Sequence, residues 1–122
     1  MNKIPPKLYK KIVELVPILC VDVVLKYRNK YVLLKRINEP LKNLWWVPGG
    51  RAYKGEKTKS VAKRKVWQET GLKAKNFKMT GVYEDYYPKS AFGVPTASVS
   101  IVYEATLSVF NPKLDRTSSS IK

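Results

Sequence analysis

The segment Gly50–Leu72, GRAYKGEKTKSVAKRKVWQETGL, runs from a glycine through a helical pattern to a second glycine. Lys57 to Glu69 has helical periodicity, with Thr58 near its start. Val61, Ala62, Val66 and Thr70 form its buried stripe. Gly71 stands where a left-handed C-terminal cap is expected. A helix within 57–70, packed on a sheet through that stripe, follows. At about 100° per residue, positions 65, 68 and 69 share a narrow arc away from the stripe. Lys65, Gln68 and Glu69 are therefore expected to open into one cleft.

Upstream, Trp45, Trp46 and Val47 form a short extended segment, and Pro48-Gly49-Gly50 breaks regular structure. The preceding loop, residues 37–44, contains Pro40. Residues 17–27 are β-branched and nearly continuously apolar, as in a strand covered on both faces. Asp22 interrupts that run, and an acid there needs a reason. Arg28-Asn29-Lys30 turns the chain, and Tyr31 to Arg36 returns as a second strand of a hairpin. Further upstream, residues 6–15 read as a helix with Leu8, Ile12, Val13 and Val16 on one side.

Downstream, two strand patterns cover about 73–86 and 97–108, joined by a loop from Pro88 to Pro95. The stretch 112–122 reads as a polar, mobile tail. The whole is a single domain, residues 1–122, with 1–15 as an N-terminal helical segment. Strands dominate around one central helix, so the class is α+β.

Composition narrows the chemistry. At 122 residues the chain is one domain, and no apolar run reaches the length of a membrane span. It lacks the apolar core of a signal peptide, so a cytoplasmic location is expected. There is no histidine. That excludes a Ser-His-Asp triad, a Cys-His pair and a His-ligated metal. The single Cys20 forms no internal disulfide and reads as a small buried hydrophobe. An enzyme here must use carboxylates, Lys, Arg, Tyr, hydroxyls and a hard metal held by oxygen. With 24 basic and 9 acidic residues, the net charge is +15. Such a field attracts polyanions, although a lysine-rich surface also suits proteins from hot environments.

The spacing within Gly50–Leu72 resembles the Nudix box: G, five residues, E, seven residues, then R-E-U-x-E-E-x-G-U, with U aliphatic. Gly50, Glu56, Arg64, Val66, Glu69, Gly71 and Leu72 match, whereas Lys65 and Gln68 replace two acids. Trp46-Val47-Pro48-Gly49-Gly50-Arg51 is similar to the usual approach to that box. From Val16 to about Tyr103 the chain resembles the GDP-mannose mannosyl hydrolase branch, which also lacks the two upstream acids. The carrying residues are PILCVDVVLKY, YVLLKR, INEPLKNLWWVPGGR and GVYEDYY.

The resemblance implies a Nudix α/β/α sandwich with a mixed sheet, shortened at its C-terminus. It implies a Nudix-type hydrolase that splits a nucleoside diphosphate from another moiety, such as the sugar of GDP-mannose, with Mg2+ (or Mn2+). Glu69 and the Gly50 carbonyl would be metal ligands. Arg51 would bind a phosphate of the leaving group, and with Glu69 forms the expected catalytic pair. Asp22 and Arg36 take the hairpin positions that contact nucleotide and phosphate. Glu56 and Arg64 would pair and brace the loop. Lys65 either points to solvent or supplies a positive charge where a further metal would sit. Trp45 and Trp46 read as core and rim. Tyr83, Tyr86 and Tyr87 are candidates for a base or sugar pocket. The branch's general base, a histidine, falls here near Thr117 to Ser119, where hydroxyls are poor bases. The alternative is a weak or inactive Nudix fold that binds RNA or nucleotides through its basic surface. Expected partners are a nucleoside diphosphate derivative, RNA in the alternative reading, and a second copy as a homodimer, with no membrane.

Overall fold

A computed structural model describes residues 4–37, 42–90, 92–109 and 118–121. The first helix, α1 (Pro6–Leu15), opens with proline at its first turn, where a missing N–H costs nothing. It stops at Val16, which adopts an extended conformation because Pro17 follows. The expected stripe is only partly used. Val13 is buried, but Leu8 and Val16 are exposed. The helix docks through Tyr9 and Val13 instead, against the face of the sheet that carries a cleft.

Strand β1 (Ile18–Tyr27) alternates in burial: Val21, Val23 and Leu25 are fully buried, and their neighbours are not. It was expected to be apolar on both sides, and the alternation resolves the place of Asp22, which faces the cleft with Cys20. Cys20 is correspondingly half-buried in the cleft wall and not part of the core.

The return strand is split. β2 (Lys30–Tyr31) pairs with β1, whereas β3 (Leu34–Arg36) leaves for a second sheet. The edge of β1 explains this. Beyond β2 it is taken at Cys20 to Asp22 by β5 (Gly49–Arg51), and one strand edge cannot serve two partners. The second sheet runs β4 (Trp45–Trp46), β3, β8 (Ser118–Ile121). β8 lies within the stretch expected as a mobile tail, and it pairs with β3 at Ser118 with Arg36 and Ile121 with Leu34. Residues 112–117 and Lys122 of that tail, and Pro40 of the earlier loop, lie outside the described residues.

On its other edge β1 pairs in parallel with β7 (Thr96–Leu107) over its whole length. β7 in turn pairs antiparallel with β6 (Lys75–Tyr87), giving the order β2-β1-β7-β6 with β5 beside β1. The sheet is mixed, and its parallel pair requires the long crossover that contains α2.

Helix α2 (Thr58–Thr70) buries Val61, Ala62, Val66 and Thr70, the stripe expected from spacing. Val61, Ala62 and Val66 join Val21, Val23, Leu25, Tyr103, Ala105 and Leu107 in the core. Each buried valine or leucine of this core contributes roughly 1.5–3 kcal/mol on leaving water. Gly71 ends the helix at φ 70°, and its N–H donates to the Trp67 carbonyl at 2.9 Å. Thr58 is the first helical residue, and its hydroxyl lies 2.7 Å from the Tyr103 hydroxyl. The sheet therefore carries α2 on its core face and α1 over the cleft. No helix among the described residues is long and apolar enough to cross a membrane.

Candidate active site

The cleft has a volume of about 410 Å³ and lies where β1, β5 and β7 meet α1 and α2. Gly49 is among the residues that line it. Strand β5 runs so close to β1 that a Cβ at Gly49 would strike the Asp22 carboxylate and come within 2.6 Å of the Val21 carbonyl. Only glycine permits this approach. The same residue's N–H donates to Glu69 Oε1 at 2.7 Å. Glu69, only 6% exposed, is thus drawn from the end of α2 to the strand.

Next to it, the side chain of Lys65 crosses Gly50. A Cβ there would lie 2.7 Å from Lys65 Cε and 3.2 Å from its Nζ. Lys65 and Glu69, one turn apart, both line the cleft, so Lys65 does not simply point to solvent. Gln68 does not join them. It is exposed, and its carbonyl accepts a hydrogen bond from Arg64 Nη1 at 3.2 Å. The expected triple arc therefore delivers two residues to the cleft.

Glu56 and Arg64 form the expected brace. Arg64 Nε donates to Glu56 Oε2 at 2.8 Å and Nη2 to Oε1 at 3.0 Å. Arg64 Nη2 also reaches the Arg51 carbonyl at 3.1 Å, and Glu56 accepts the Tyr53 N–H at 3.0 Å. The Arg64 hydrogen bond is the main force holding the Glu56 carboxyl below its usual range. The pair fixes the loop that carries Arg51. The Arg51 guanidinium lies 4.9 Å from the ring centres of both Tyr9 and Tyr53. The Tyr53 ring also carries the Arg64 guanidinium, at 3.9 Å.

Asp22 and Arg36 both line the cleft, as does Trp46 at its rim. Burial pushes the Asp22 carboxyl up to about 6, helped by nearby Asp85 and opposed by the Ser100 hydroxyl bond and by Arg36. Burial also pushes the Cys20 thiol up to about 12, with Asp22 adding to it. A thiol so placed stays protonated and is no nucleophile. Of the three candidate tyrosines only Tyr87 lines the cleft; Tyr83 and Tyr86 are exposed on β6. Burial and the charges of Asp85 and Asp22 raise the Tyr87 hydroxyl. Of the region expected to hold a base, Thr117 lies outside the described residues, and the Ser118 backbone pairs beside Arg36.

Spacing along the chain did not reveal Tyr9, Phe92, Ser98 and Ser100 as cleft residues. Tyr9 had a signal, an aromatic one residue after Leu8 on an amphipathic helix. The two serines follow from β7 pairing in parallel with β1, which places Ser98 beside Ile18 and Ser100 beside Cys20.

Among the described residues no group of three or more His, Cys, Asp or Glu is placed to hold a metal ion. Glu69 is the one carboxylate from the box in the cleft, and a lysine lies over Gly50. This donor set fits a metal that brings most of its ligands with it, as on a diphosphate, and not one held by the protein alone.

Comparison with known proteins agrees with this geometry. The NUDIX domain family profile matches residues 17–119. The low-salt glycan biosynthesis protein Agl8 of Haloferax volcanii is 30% identical over 99% of this chain and 79% of its own length. An ADP-ribose pyrophosphatase of Methanocaldococcus jannaschii is 37% identical over 55% of this chain, which is 40% of that enzyme. The NUDIX domain of Shewanella oneidensis NrtR, solved with ADP ribose, superposes with a TM-score of 0.71 at 24% identity. That match covers 98% of this chain and 77% of the other. The chain belongs to the NUDIX family, as a Nudix-type hydrolase whose box carries Lys65 and Gln68 at two acidic positions of the pattern.

Proposed function

We propose that this protein hydrolyses a nucleoside diphosphate linked to another moiety, a nucleotide sugar such as GDP-mannose, and releases the nucleoside diphosphate. The observation that carries this reading is the convergence of Arg36, Arg51 and Lys65 with Asp22 and Glu69 in one cleft. Cations on that scale suit a diphosphate, and the flanking aromatic and hydroxyl side chains suit a base or sugar. The likeness to a glycan biosynthesis protein over nearly the whole chain supports a sugar as the other moiety. The shorter likeness to an ADP-ribose pyrophosphatase supports the shared diphosphate.

Arg51 binds and stabilises the departing phosphate, since charge grows there as the bond breaks. Asp22, ionised above about pH 6, would accept a proton from the attacking water. Arg36, on β3, binds the nucleotide as a further cation of the cleft. Nudix hydrolases as a family use divalent metals. Mg2+ or Mn2+ would lend charge to the diphosphate here, with Glu69 and the Gly50 carbonyl to hold it.

The test is a turnover screen of nucleoside diphosphate sugars and ADP-ribose with Mg2+ and with Mn2+, reading released nucleotide by chromatography. GDP-mannose should be cleaved, and Arg51→Ala should lower kcat/KM by about two orders of magnitude, as for loss of one charge-stabilising donor. No turnover of any of these compounds would defeat the reading.

A further inference from the structure

We propose that Lys65 is a built-in cation for the diphosphate, so that the cleft binds a nucleoside diphosphate without a divalent metal. This inference rests on the nucleoside diphosphate reading above.

Three observations carry it. The first is position: Lys65 lines the cleft one helical turn before Glu69, and its tail lies across Gly50. The absence of a Cβ at Gly50 makes the trough in which that tail rests. A longer residue there would need the Lys65 tail to move, because Cδ and Cε lie 3.1 and 2.7 Å from the Cβ position. The side chain is half-buried, so much of its rotamer freedom is already lost before any ligand arrives. Secondly, among the described residues no ion pair takes up its charge. On the same helix Arg64 pairs with Glu56, away from Lys65. Thirdly, there is the donor set. The described residues hold no cluster of three acidic or sulfur ligands, so they do not concentrate negative charge as a metal cage does.

Physically, an ammonium is a compact point charge with three donors, able to follow a phosphate that changes position. It repels a divalent ion at the same spot. Lys65 and Arg51 flank Gly50 from the helix and the strand, so a diphosphate laid along β5 would meet a cation on each side. A metal then adds to binding but is not required for it.

Calorimetry with ADP and with inorganic pyrophosphate, each in EDTA and in Mn2+, tests this on the intact chain. Wild type should bind both probes in EDTA. Lys65→Met should weaken that binding about tenfold, the loss of one charge-assisted contact. Lys65→Glu should abolish it in EDTA and regain it in Mn2+. Lys59→Met removes an exposed lysine from the same helix outside the cleft and controls for net charge; it should bind like wild type. Thermal melts confirm that each variant folds. Wild-type binding only in Mn2+, or Lys65→Met within twofold of wild type in EDTA, overturns the role of Lys65 and leaves the hydrolase reading standing. Failure of both ADP and pyrophosphate to bind in either condition removes the diphosphate site on which that reading rests, and this inference with it.

Discussion

Asp22 and Glu69 meet at Gly49, one from the middle of β1 and the other from the last turn of α2. The Asp22 carboxylate fills the space a Gly49 side chain would need, and Glu69 Oε1 takes the Gly49 N–H at 2.7 Å. Two carboxylates 47 positions apart in sequence are thereby held around one backbone unit. The glycine is the joint between strand and helix, and the cleft opens from it.

Gly49→Ala should therefore cost stability. The added methyl meets the Val21 carbonyl at 2.6 Å and the Asp22 side chain, and the Val21 backbone cannot give way cheaply. Overpacking of this kind costs about 1–3 kcal/mol. In a domain of this size that lowers Tm by on the order of 5–10 °C. Gly50→Ala meets only the flexible end of Lys65 and should cost less. Circular dichroism melts of the two variants give the comparison, and an equal or larger drop for Gly50→Ala would refute the account.

Asp22 makes stability fall as pH rises. Its carboxyl is raised to about 6 in the folded protein against an ordinary value near 4, so the folded state holds the proton more tightly. That contribution is fully present below about pH 4 and lost as pH climbs through 6. Asp22→Asn keeps a hydrogen-bonding side chain without the charge. It should raise Tm at pH 7.5, by the equivalent of at most about 2–3 kcal/mol, and leave it unchanged at pH 4. The same variant should lose most activity and the acidic limb of the kcat/KM profile near pH 6. A Tm gain of equal size at both pH values would rule out burial of a charge as its cause.

Glu56 acts in the opposite direction. Its carboxyl is held down chiefly by Arg64, so its contribution is present above about pH 4.5 and lost as acid protonates it. Glu56→Gln should lower Tm at pH 7 and flatten the loss of stability below pH 4.5. The bidentate bond to Arg64 and the Tyr53 N–H bond together suggest a loss of roughly 1–3 kcal/mol. Melts across pH 3–7 measure both, and parallel curves for variant and wild type would contradict the assignment.

How much of this was readable beforehand differs by element. Helix α2 was legible because its stripe, its glycine cap and the Glu56–Arg64 spacing are all local, and the helix repeat converts spacing directly into geometry. Asp22, Arg36, Arg51, Lys65 and Glu69 were named from sequence and do share a cleft. Gln68 was misplaced because Arg64, one turn earlier, offers it a partner on the outer side. The split of the Tyr31–Arg36 strand was not legible. It depends on β5 occupying the edge of β1, a contact between residues far apart in sequence. The cleft's far wall was hidden for the same reason, since Ser98 and Ser100 acquire their place only through parallel pairing.

Tyr9 yields the last prediction, because it ties the N-terminal helix to the chemistry. Its ring lies 4.9 Å from the Arg51 guanidinium and 5.8 Å from the Phe92 ring, in an edge-on arrangement. The first contact orients the arginine, and the second fixes α1 over the cleft. A cation–π contact of this kind is worth about 0.5–2 kcal/mol, depending on how dry it is. Tyr53, on the same guanidinium, remains in a Tyr9 variant. Tyr9→Leu keeps apolar bulk on α1 but removes the ring, so Arg51 keeps one stack and loses the other. Arg51 would then meet the phosphate from a wider range of rotamers, which weakens ground-state and transition-state contacts alike. The expected result is a KM raised about three- to thirtyfold with kcat changed little, the pattern for loss of uniform binding. Tyr9→Phe retains the ring and should behave as wild type. A fall in kcat at unchanged KM in Tyr9→Leu would instead place Tyr9 in the chemical step, and equal losses in Tyr9→Leu and Tyr9→Phe would show that the hydroxyl, not the ring over Arg51, is what matters.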